Sequence, residues 1–452
     1  MGGELTGVGI GWRQELAADV LSARGAVSFV EVVAELCFSQ ARAKREASAL
    51  AEAWPVVPHG VKLSLGSAEG IDEDRARRLG ELARTLRSPV VSEHVALTSA
   101  GGWEVGHLTQ LPRTREAVAV VARNVARARR HLPDVPLLLE NVAWTARWPD
   151  DAMREEDFYG EVARATGCPL LLDLGNLHAN ALNEGRDPFD VLRAYPLERV
   201  AMVHIAGGHA EDGFFFDDHA SPVPDAVFAL LEALTAARGA VPVLLERDAC
   251  FPPFAELAAE LARARAITAR GEASTARPTE PSPAVALDAS ADLAARQGAF
   301  ARVLADRHAP VPDALAGFAA ADLARTREVL QRKRVENALP LLPRLASHGD
   351  AVGPAARAAV DAHARPARGA AFADAMRIAT RALAEPALAA DARVDLLVLR
   401  ARFRFDGDAP PGARVGPFVG RAESRAGRRV WALKGLGAEA AVRLIETRSR
   451  TA

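Results

Sequence analysis

Short apolar runs alternate with longer polar stretches over the first 270 residues or so of the chain. The runs are rich in Val, Leu and Ile, and the stretches between them are rich in Ala, Arg and Glu. Nearly continuous apolar runs are typical of parallel strands that are buried on both faces. The pattern predicts eight strands: Gly7–Gly11, Ser28–Val33, Val56–Leu65, Val90–Leu97, Pro136–Val142, Pro169–Leu174, Val200–Ile205 and Val241–Glu246.

Helical stretches separate most of these strands. Helices are predicted over Ile71–Leu86, Thr114–His131, Glu155–Thr166, Asp187–Tyr195, Pro224–Arg238 and Ala255–Arg270. Eight βα units in a chain segment of this length match the size of a TIM (β/α)₈ barrel. A doubly wound open sheet is the alternative, but it usually has fewer strands, and the chain lacks G-x-G-x-x-G after its first strand. We therefore predict an α/β barrel over residues 1–270.

The texture of the chain changes after residue 270. Residues 271–290 (GEASTARPTEPSPAVALDAS) are rich in Pro, Ser, Thr and Ala, which predicts a linker. Residues 291–452 then predict a smaller α+β domain. Its predicted helices are Ala291–Arg307, Ala320–Asn337, Ala355–Ala364 and Ala370–Ala384. Val394–Phe405 alternates like a strand, 406–416 reads as a loop, and Arg428–Lys434 is strand-like.

Charge and hydropathy exclude some classes of partner. The formal net charge is −2 and the isoelectric point is near 6.6, so no overall field attracts nucleic acid or an anionic membrane. No apolar run reaches the ~18 residues of a membrane span. Met1–Trp12 shows no basic segment followed by an apolar one, so no signal peptide is expected.

The three cysteines, Cys37, Cys168 and Cys250, form no CxxC pair, and their number is odd. This argues against a disulfide framework and against a thiolate zinc site. We expect small buried apolar residues in a reducing, cytoplasmic environment.

Ligand-capable residues cluster where the predicted strands end, which is where barrel enzymes place their active sites. They are Glu31, Glu35, His59, Glu93, His94, Glu140, Asn141, Asp173, Asn176, His178, His204, Asp217, Asp218, His219, Glu246 and Asp248. A single such residue is usually a hydrogen-bonded core histidine or an ion-pair partner. So many together, with only Lys62 and Arg247 nearby as basic residues, would be costly to bury without a cation. The cluster therefore predicts a metal site.

The donor types narrow the choice of metal. Imidazole, carboxylate and amide groups without thiolate suit Fe(II), Mn(II), Co(II) or Zn(II). The strongest candidate ligands are His59, His94, Glu140, Asp173, Asn176, His204, Asp217, His219 and Glu246. They exceed the three or four protein ligands of one ion, so they could serve two or three ions with open positions. His178 and His209 are expected to contact the metal, the substrate or the ligands from behind. Asp248 could accept a proton, support a ligand or form a salt bridge, and the supporting roles are favoured.

Seven ordered motifs carry a family resemblance. PHGVKLSLGS, VSEHVAL, LLLENVAW, LLLDLGNLHANALNEG, VHIAGGH, DDHASPV and LLERD resemble the multinuclear non-haem iron-dependent oxidative enzymes over about residues 5–265. That family includes the iron enzyme of methanobactin biosynthesis. The resemblance implies a TIM barrel that holds two or three iron ions and uses O₂ as co-substrate. It assigns the metal to the same nine residues.

The chain departs from the family pattern near the expected substrate pocket. Gly175 stands where many members have Asn, and His178 where they have Tyr. AGGH replaces the common AGH, and ERD replaces EWD or a similar sequence. None of these changes removes a proposed ligand, but they leave the substrate and product open.

The resemblance also implies a substrate class. Family members oxidise ribosomally made precursor peptides, commonly at cysteine, and a partner protein or a fused domain usually delivers the peptide. Residues 291–452 could fill that role by pairing an exposed strand edge with the peptide. Alternatively, they form a dimerisation or stabilising domain.

Two other functions compete with this interpretation. Barrels of the endonuclease IV and xylose isomerase class also bind metal ions through His, Glu and Asp, and they act as hydrolases or isomerases. A nuclease needs clustered Lys and Arg, whereas this chain is slightly acidic. A non-catalytic scaffold is the second alternative, but such a protein would be expected to have lost some of the nine ligands.

Overall fold

In a computed structural model of the chain, residues 5–271, 291–366, 369–405, 411–438 and 440–447 are described. Contacts between residues divide the chain into two compact units. One contains the residues up to Thr98 together with Leu108–Ala294, and the other contains Ser99–His107 together with the residues from Ala295 onwards. The predicted linker, 271–290, lies outside the described residues except for Gly271.

Strands and helices alternate along the first part of the chain. The strands are β1 (Val8–Gly11), β2 (Val30–Val33), β3 (Val56–Gly60), β4 (Val91–His94), β5 (Leu97–Ala100), β6 (Trp103–Thr109), β7 (Leu137–Glu140), β8 (Leu170–Asp173), β9 (Val200–Ile205), β10 (His209–Glu211), β11 (Phe214–Phe216) and β12 (Val243–Leu245). The helices are α1 (Ala17–Ser22), α2 (Ala34–Ser39), α3 (Ala41–Leu50), α4 (Glu73–Leu86), α5 (Arg115–Arg129), α6 (Glu155–Thr166), α7 (Leu174–Asn183), α8 (Pro188–Ala194), α9 (Asp225–Arg238) and α10 (Phe254–Thr268).

Eight parallel strands close into a barrel in the order β1-β12-β9-β8-β7-β4-β3-β2. Closure is completed where β1 pairs with both β2 and β12. The predicted α/β barrel is therefore confirmed. Each predicted strand is present, although most are shorter than predicted because the apolar run continues into the loop. For example, the run Val56–Leu65 contains β3, which ends at Gly60.

An apolar layer fills the amino-terminal end of the barrel interior. Its buried members are Leu5, Phe29, Val57, Leu138, Leu171, Met202 and Leu244. Gly9 on β1 leaves room for the largest of these side chains, because a Cβ atom at this position would lie 2.6 Å from the Phe29 ring. The layer closes one end of the barrel with side chains, as in other barrels of this type.

Two hairpins interrupt the βα pattern, and sequence analysis did not predict either of them. One is formed by β5 and β6, and the other by β10 and β11. In the second, Asp212 and Gly213 form the turn with φ angles of 50° and 76°. Positive φ at both turn residues is the conformation of a two-residue hairpin, and Asp-Gly is a preferred sequence for it. The signal was therefore present, but the flanking strands are only three residues long.

The rest of the chain is helical and then antiparallel. Its elements are α11 (Ala291–Ala305), α12 (Ala320–Ala338), α13 (Pro343–Ala346), α14 (Gly353–Asp361), α15 (Ala370–Ala382), α16 (Ala389–Arg402), β13 (Phe403–Arg404), β14 (Gly412–Ala413), β15 (Phe418–Glu423), β16 (Arg429–Lys434) and β17 (Val442–Thr447). Strands β15, β16 and β17 form a three-stranded sheet in that order. Of the predicted loop 406–416, residues 406–410 lie outside the described part of the chain.

The strand-like interpretation of Val394–Phe405 is wrong over most of its length. This segment belongs to α16 as far as Arg402, and only Phe403–Arg404 is extended. The helix is buried on several sides, with Val394 and Leu397 both in the core. Burial on several sides removes the clear helical period, and the Leu, Arg and Ala residues of the segment are good helix formers.

The cysteines are free thiols. Cys37 and Cys168 are buried as expected, whereas Cys250 is exposed, which corrects the prediction for that residue. Among the described residues, no helix combines the length and the apolar character needed to cross a membrane.

Glu155 at the start of α6 is a buried carboxyl group that should make stability depend on pH. It accepts hydrogen bonds from Tyr195 Oη at 2.5 Å and Asn180 Nδ2 at 2.7 Å. Burial raises its pKa from 4.5 to about 7, against the lowering effect of these hydrogen bonds. Because the folded state holds the proton more tightly than the unfolded state, stability is expected to fall as the pH rises from about 4.5 to about 7.

We expect Glu155→Gln to remove this dependence, because the amide cannot ionise and Tyr195 can accept its N–H. The difference in unfolding free energy between the variant and the unmodified protein should increase in favour of the variant by up to about 3 kcal/mol between about pH 5 and about pH 8. Thermal melting at both pH values measures the difference. An equal melting-temperature shift at both values would contradict a carboxyl group that ionises within this range.

Candidate metal centre

The inward-facing side chains change from apolar to polar near the carboxyl ends of the barrel strands. Alternate residues of a strand share a face, so the residue two positions after a core residue also points into the barrel. The pairs are Phe29 and Glu31, Val57 and His59, Leu138 and Glu140, Leu171 and Asp173, Met202 and His204, and Leu244 and Glu246. On β4, His94 follows Ser92 and Val90 in the same way. A layer of buried imidazoles and carboxylates therefore lies on the apolar layer.

Glu140 on β7 faces three histidines. Its Oε2 atom lies 3.5 Å from His59 Nε2 and 3.3 Å from His94 Nε2. Its Oε1 atom lies 3.2 Å from His204 Nδ1. Each carboxylate oxygen is thus presented to a different set of imidazole nitrogens. This is the geometry of a carboxylate that can bridge two cations.

Glu246, directly after β12, likewise lies between two histidines, His204 and His219. Its Oε2 atom lies 3.4 Å from His204 Nδ1 and 3.2 Å from His219 Nδ1. The other ring nitrogen of His219 lies 2.5 Å from Asp217 Oδ2. Asp248 Oδ2 is 3.8 Å from His219 Nδ1.

Three groups of donor atoms are compact enough to hold a metal ion each, because the atoms within a group all lie within 4.8 Å of one another. The groups are His59, His94 and Glu140; Glu140, Asp173, His204 and Glu246; and His219, Glu246 and Asp248. Glu140 belongs to the first two groups and Glu246 to the last two. Two shared carboxylates therefore connect the three groups.

Several polar atoms of this layer are buried without a hydrogen-bond partner within the part of the chain that is described. They are Glu31 Oε2, Glu140 Oε2, Asp173 Oδ2, Asp217 Oδ1 and both ring nitrogens of His204. Leaving such groups unpaired costs free energy, and a bound cation would offset that cost. The donor set is imidazole and carboxylate without thiolate, so the residues fit Fe(II), Mn(II), Co(II) or Zn(II).

In the metal-free protein, the histidines and carboxylates shift one another's pKa values. Burial lowers the pKa of His204, but Glu31 and Glu140 outweigh it and raise the pKa well above its ordinary value. Burial also lowers the pKa of His219, but the nearby Asp217 outweighs burial and raises this pKa well above its ordinary value. A metal ion at either histidine must displace the ring proton, so metal binding should weaken as the pH falls.

The carboxylates of the second group differ in their protonation. Burial would raise the pKa of Glu140, but the facing imidazoles, His94 first, lower it to about 2. Burial and the nearby Asp217 raise the pKa of Asp173 well above its ordinary value. The pKa values of Glu140 and Asp173 are therefore shifted in opposite directions, and Glu140 is the carboxylate that ionises more readily.

Asn176 lies beside Asp173, but its side chain is engaged elsewhere. Its backbone N–H donates to Asp173 Oδ1 at 2.6 Å. Its Oδ1 accepts from the Ala143 N–H and its Nδ2 donates to the Asn141 carbonyl, both at 3.0 Å. In this structure, Asn176 fastens the loop after β7 to α7, and its Oδ1 atom retains a second lone pair.

The two residues predicted near the substrate lie apart from the first two donor groups. His178 on α7 is buried edge-on against Phe215, with a ring-centroid distance of 5.3 Å. Burial lowers its pKa, so the ring is neutral at physiological pH. Asp248 forms an ion pair with Arg13 and has a side chain that is 44% exposed. The Asp248 N–H donates to the His219 carbonyl at 2.8 Å, which ties the two loops together.

The β10–β11 hairpin positions Asp217 and His219, which follow it directly. Asn183 on α7 clamps the backbone of Phe215, donating to its carbonyl at 2.9 Å and accepting from its N–H at 2.8 Å. His219 has a φ of 55°, an uncommon conformation for a residue with a side chain. Strained backbone of this kind persists only where the surroundings hold it, and it is common at functional sites.

The nine candidate ligands predicted from the sequence leave out two residues that contact the site, Glu31 and Arg13. Glu31 lies on a predicted strand but was left out of the nine candidates, although its buried carboxylate faces His204 Nε2 at 3.3 Å. Arg13 lies in the loop after β1 and pairs with Asp248. The period-2 pattern could have identified Glu31, whereas no local signal identifies Arg13. Arg247, expected to be close to the site, instead pairs with Glu260 at 3.3 Å.

Comparisons with known proteins agree with this site. The family model "RiPP precursor modification enzyme MbnB/TglH/ChrH" matches residues 7–269, more than half of the chain. A UPF0276 protein of Streptomyces avermitilis is 42% identical over 266 residues, which cover 57% of this chain and 54% of that protein. The chain thus spans about half the length of that relative. A UPF0276 protein of Caulobacter vibrioides is 41% identical over 267 residues, 59% of this chain and 95% of that protein.

Solved structures with a similar barrel are more distant. Endonuclease IV from Thermus thermophilus is 20% identical, with a TM-score of 0.39, over 58% of this chain and 99% of that chain. A putative xylose isomerase from Rhodospirillum rubrum is 16% identical, with a TM-score of 0.40, over 59% of this chain and 99% of that chain. Similarity at this level carries no argument about function.

We expect Glu140→Gln to weaken metal binding in two donor groups and His94→Ala in only one, because Glu140 is shared and His94 is not. Metal retained after anaerobic loading and desalting, measured by mass spectrometry, should therefore fall further in Glu140→Gln. Circular dichroism controls for folding. Equal metal content in the two variants would contradict a bridging Glu140.

Proposed function

Because the chain belongs to the MbnB/TglH/ChrH family of RiPP precursor modification enzymes, which act on ribosomally synthesised precursor peptides, we propose that it oxidises a cysteine-containing precursor with O₂ at two or three iron ions. The observation that carries this proposal is the set of three donor groups connected by Glu140 and Glu246. One shared carboxylate would serve a pair of ions, and two extend the series to three.

The choice of iron rests on the donor set and on the chemistry. Imidazole and carboxylate ligands without thiolate suit Fe(II). Bound iron would supply the redox chemistry with O₂ that amino-acid side chains lack. In the overall reaction, electrons leave the peptide and O₂ is reduced.

The side chains of this chain would hold and orient the reactants. Glu140 and Glu246 would each be shared between two donor groups that hold metal, and the histidines would complete each group. The apolar layer beneath them, with Phe29 and Met202 fully buried, excludes water from the inner side of the centre. Such exclusion strengthens the electrostatic interactions within the site.

Asp248 and His178 are the proposed residues on the substrate side. Asp248 pairs with Arg13 through Oδ1, and its other oxygen, Oδ2, faces His219 Nδ1 at 3.8 Å, so this geometry favours a role in fixing His219. His178 is neutral, and its Nδ1 atom has no hydrogen-bond partner in the described residues. Because this atom is buried, a peptide could contact it only after the neighbouring Phe215 moves.

A metal-dependent hydrolase or isomerase is the competing function. It would use the same donor groups with zinc or manganese and would need no O₂. No feature of the described residues favours it over the family assignment, and the activity measurements below separate the two.

We expect the iron-loaded protein to change the mass of a short cysteine-containing precursor peptide in the presence of O₂. A peptide with serine in place of cysteine should remain unchanged. Mass spectrometry of the peptide measures both results. Asp173→Ala should lose turnover, because Asp173 belongs to the second donor group. We call this group the central donor group, since it shares Glu140 with the first group and Glu246 with the third.

Glu155→Gln is the matched control, since it also replaces a buried carboxylate of the barrel but contacts no proposed ligand. Full turnover by Asp173→Ala would contradict the proposed centre. Cleavage of abasic DNA or isomerisation of a sugar by the zinc-loaded protein, without peptide oxidation, would support the competing function.

We also propose that residues 291–452 hold the precursor peptide on the sheet of β15–β17. One face of this sheet packs on Leu397 and Ala401 of α16 through Ala432. Paired residues on the opposite face are Val419 with Leu433, Arg421 with Trp431, Trp431 with Ile445, and Leu433 with Arg443. Val419 and Ile445 are 68% and 46% exposed. We name this surface the outer face.

The occupant that fits the outer face is an extended, acidic segment of the precursor. Arg421, Arg429 and Arg443 outnumber Glu423 on this face, so its charge complements an acidic peptide. Within the described residues, β17 pairs with β16 alone, which leaves an open edge for an added strand.

The double variant Arg421→Glu and Arg443→Glu should weaken precursor binding by about tenfold at low salt, because it reverses the charge of the outer face. Calorimetry with the full chain measures the dissociation constant. Arg393→Glu with Arg400→Glu makes the same charge change on exposed positions of α16 and should leave binding unchanged. Equal weakening in both double variants would contradict a specific outer face.

A further inference from the structure

Glu31 is a buried carboxylate that lies outside all three donor groups. It is on β2, two residues after Phe29, so it points into the barrel at the level of the other polar side chains. Only 3% of it is exposed, and its Oε2 atom has no hydrogen-bond partner in the described chain. That oxygen lies 3.3 Å from His204 Nε2 and 4.0 Å from His59 Nδ1.

His204 is held between carboxylates on opposite sides of its ring. Its Nδ1 atom lies 3.2 Å from Glu140 and 3.4 Å from Glu246, which are the shared carboxylates of the donor groups. Its Nε2 atom faces Glu31. A neutral imidazole has one N–H and one lone pair, so a metal ligand at Nδ1 must carry its proton on Nε2.

The other two histidines around Glu140 use the opposite nitrogen. His59 and His94 both direct Nε2 towards Glu140. His59 Nδ1 lies 2.8 Å from Ser92 Oγ, and His94 Nδ1 lies 3.3 Å from the Gly60 carbonyl oxygen. Each histidine thus has one nitrogen towards the donor groups and one towards a supporting oxygen. For His204, that supporting oxygen belongs to a carboxylate.

In this structure, His204 Nε2 and Glu31 Oε2 lie 3.3 Å apart without the alignment of a hydrogen bond. We infer that Glu31 is a positioning residue that accepts the Nε2–H of His204 when a metal ion is bound, and thereby makes Nδ1 the metal-binding nitrogen. This inference rests on the proposed metal centre. A carboxylate behind a ligating histidine fixes the tautomer and the ring orientation and makes the ligand more basic. Glu31 also adds negative charge next to the central donor group, which compensates the charge of a bound cation.

The tautomer of His204 tests this inference directly. Zn(II) serves as the probe, because it is diamagnetic and accepts nitrogen and oxygen ligands. In zinc-loaded protein with nitrogen-15-labelled histidine, the His204 ring should show a metal-bound Nδ1 and a protonated Nε2. His59 and His94 should show the reverse. The signals that disappear in His204→Gln identify the His204 ring.

Glu31→Ala should weaken zinc binding by about 10- to 100-fold and allow the His204 tautomers to exchange, because the acceptor is lost. Glu31→Gln keeps an acceptor oxygen of the same reach and should restore much of the affinity. Glu155→Gln, the control carboxylate of the barrel, should change neither the affinity nor the tautomer. Melting of the metal-free variants shows whether the fold is retained.

The possible outcomes separate this inference from the proposed function. Metal-bound Nε2 on His204 in the unmodified protein would overturn the role of Glu31 and leave the metal centre intact. A Glu31→Ala variant with unchanged zinc affinity and tautomer would also overturn it. Failure of the unmodified protein to bind zinc or iron at all would overturn both.

Discussion

Unpaired negative charge at the carboxyl ends of the barrel strands is the constraint on which the rest of the site depends. Buried carboxylates from several strands converge there, and atoms of Glu31, Glu140, Asp173 and Asp217 have no hydrogen-bond partner in the described residues. Among the described residues, Arg13 pairs with Asp248, whose side chain is 44% exposed. The raised pKa values of Asp173 and His204 show that these groups bind a proton more tightly than usual. Metal ions would compensate the negative charge more completely, because each one would pair with several donors at once.

The same constraint explains why this chemistry is placed on a barrel. Parallel strands in register bring residues that are far apart in sequence to one level, and the two-residue period puts polar side chains directly above apolar ones. The apolar layer around Phe29 fixes the strands, while Glu140 and Glu246 connect neighbouring donor groups. The spacing of the donor groups is therefore set by the backbone of β7 and of the residue after β12, whereas His219 depends on a hairpin that Asn183 clamps. We expect the part of the centre built on strands to be more rigid than the part built on loops.

The sequence was sufficient to predict the barrel and most of the polar side chains that meet at the ends of its strands, because buried parallel strands leave continuous apolar runs and polar residues at their ends stand out. It was insufficient where the outcome depends on tertiary contacts. Asn176 carries the right chemistry for a ligand, yet its amide is engaged by the backbone after β7. Arg13 has no local signal, since its partner lies 235 positions away along the chain. The α16 segment alternates like a strand because packing on several sides hides its helical period.

Metal content tests the central claim most directly. The chain would be produced with added iron, purified without O₂ and analysed by mass spectrometry for every transition metal. The account predicts about two to three iron ions per chain, in keeping with three connected donor groups. Zinc or manganese in that amount without iron would contradict the oxidative function and favour a hydrolase or isomerase. A metal-free protein that stays folded would contradict the claim that the buried carboxylates need a cation.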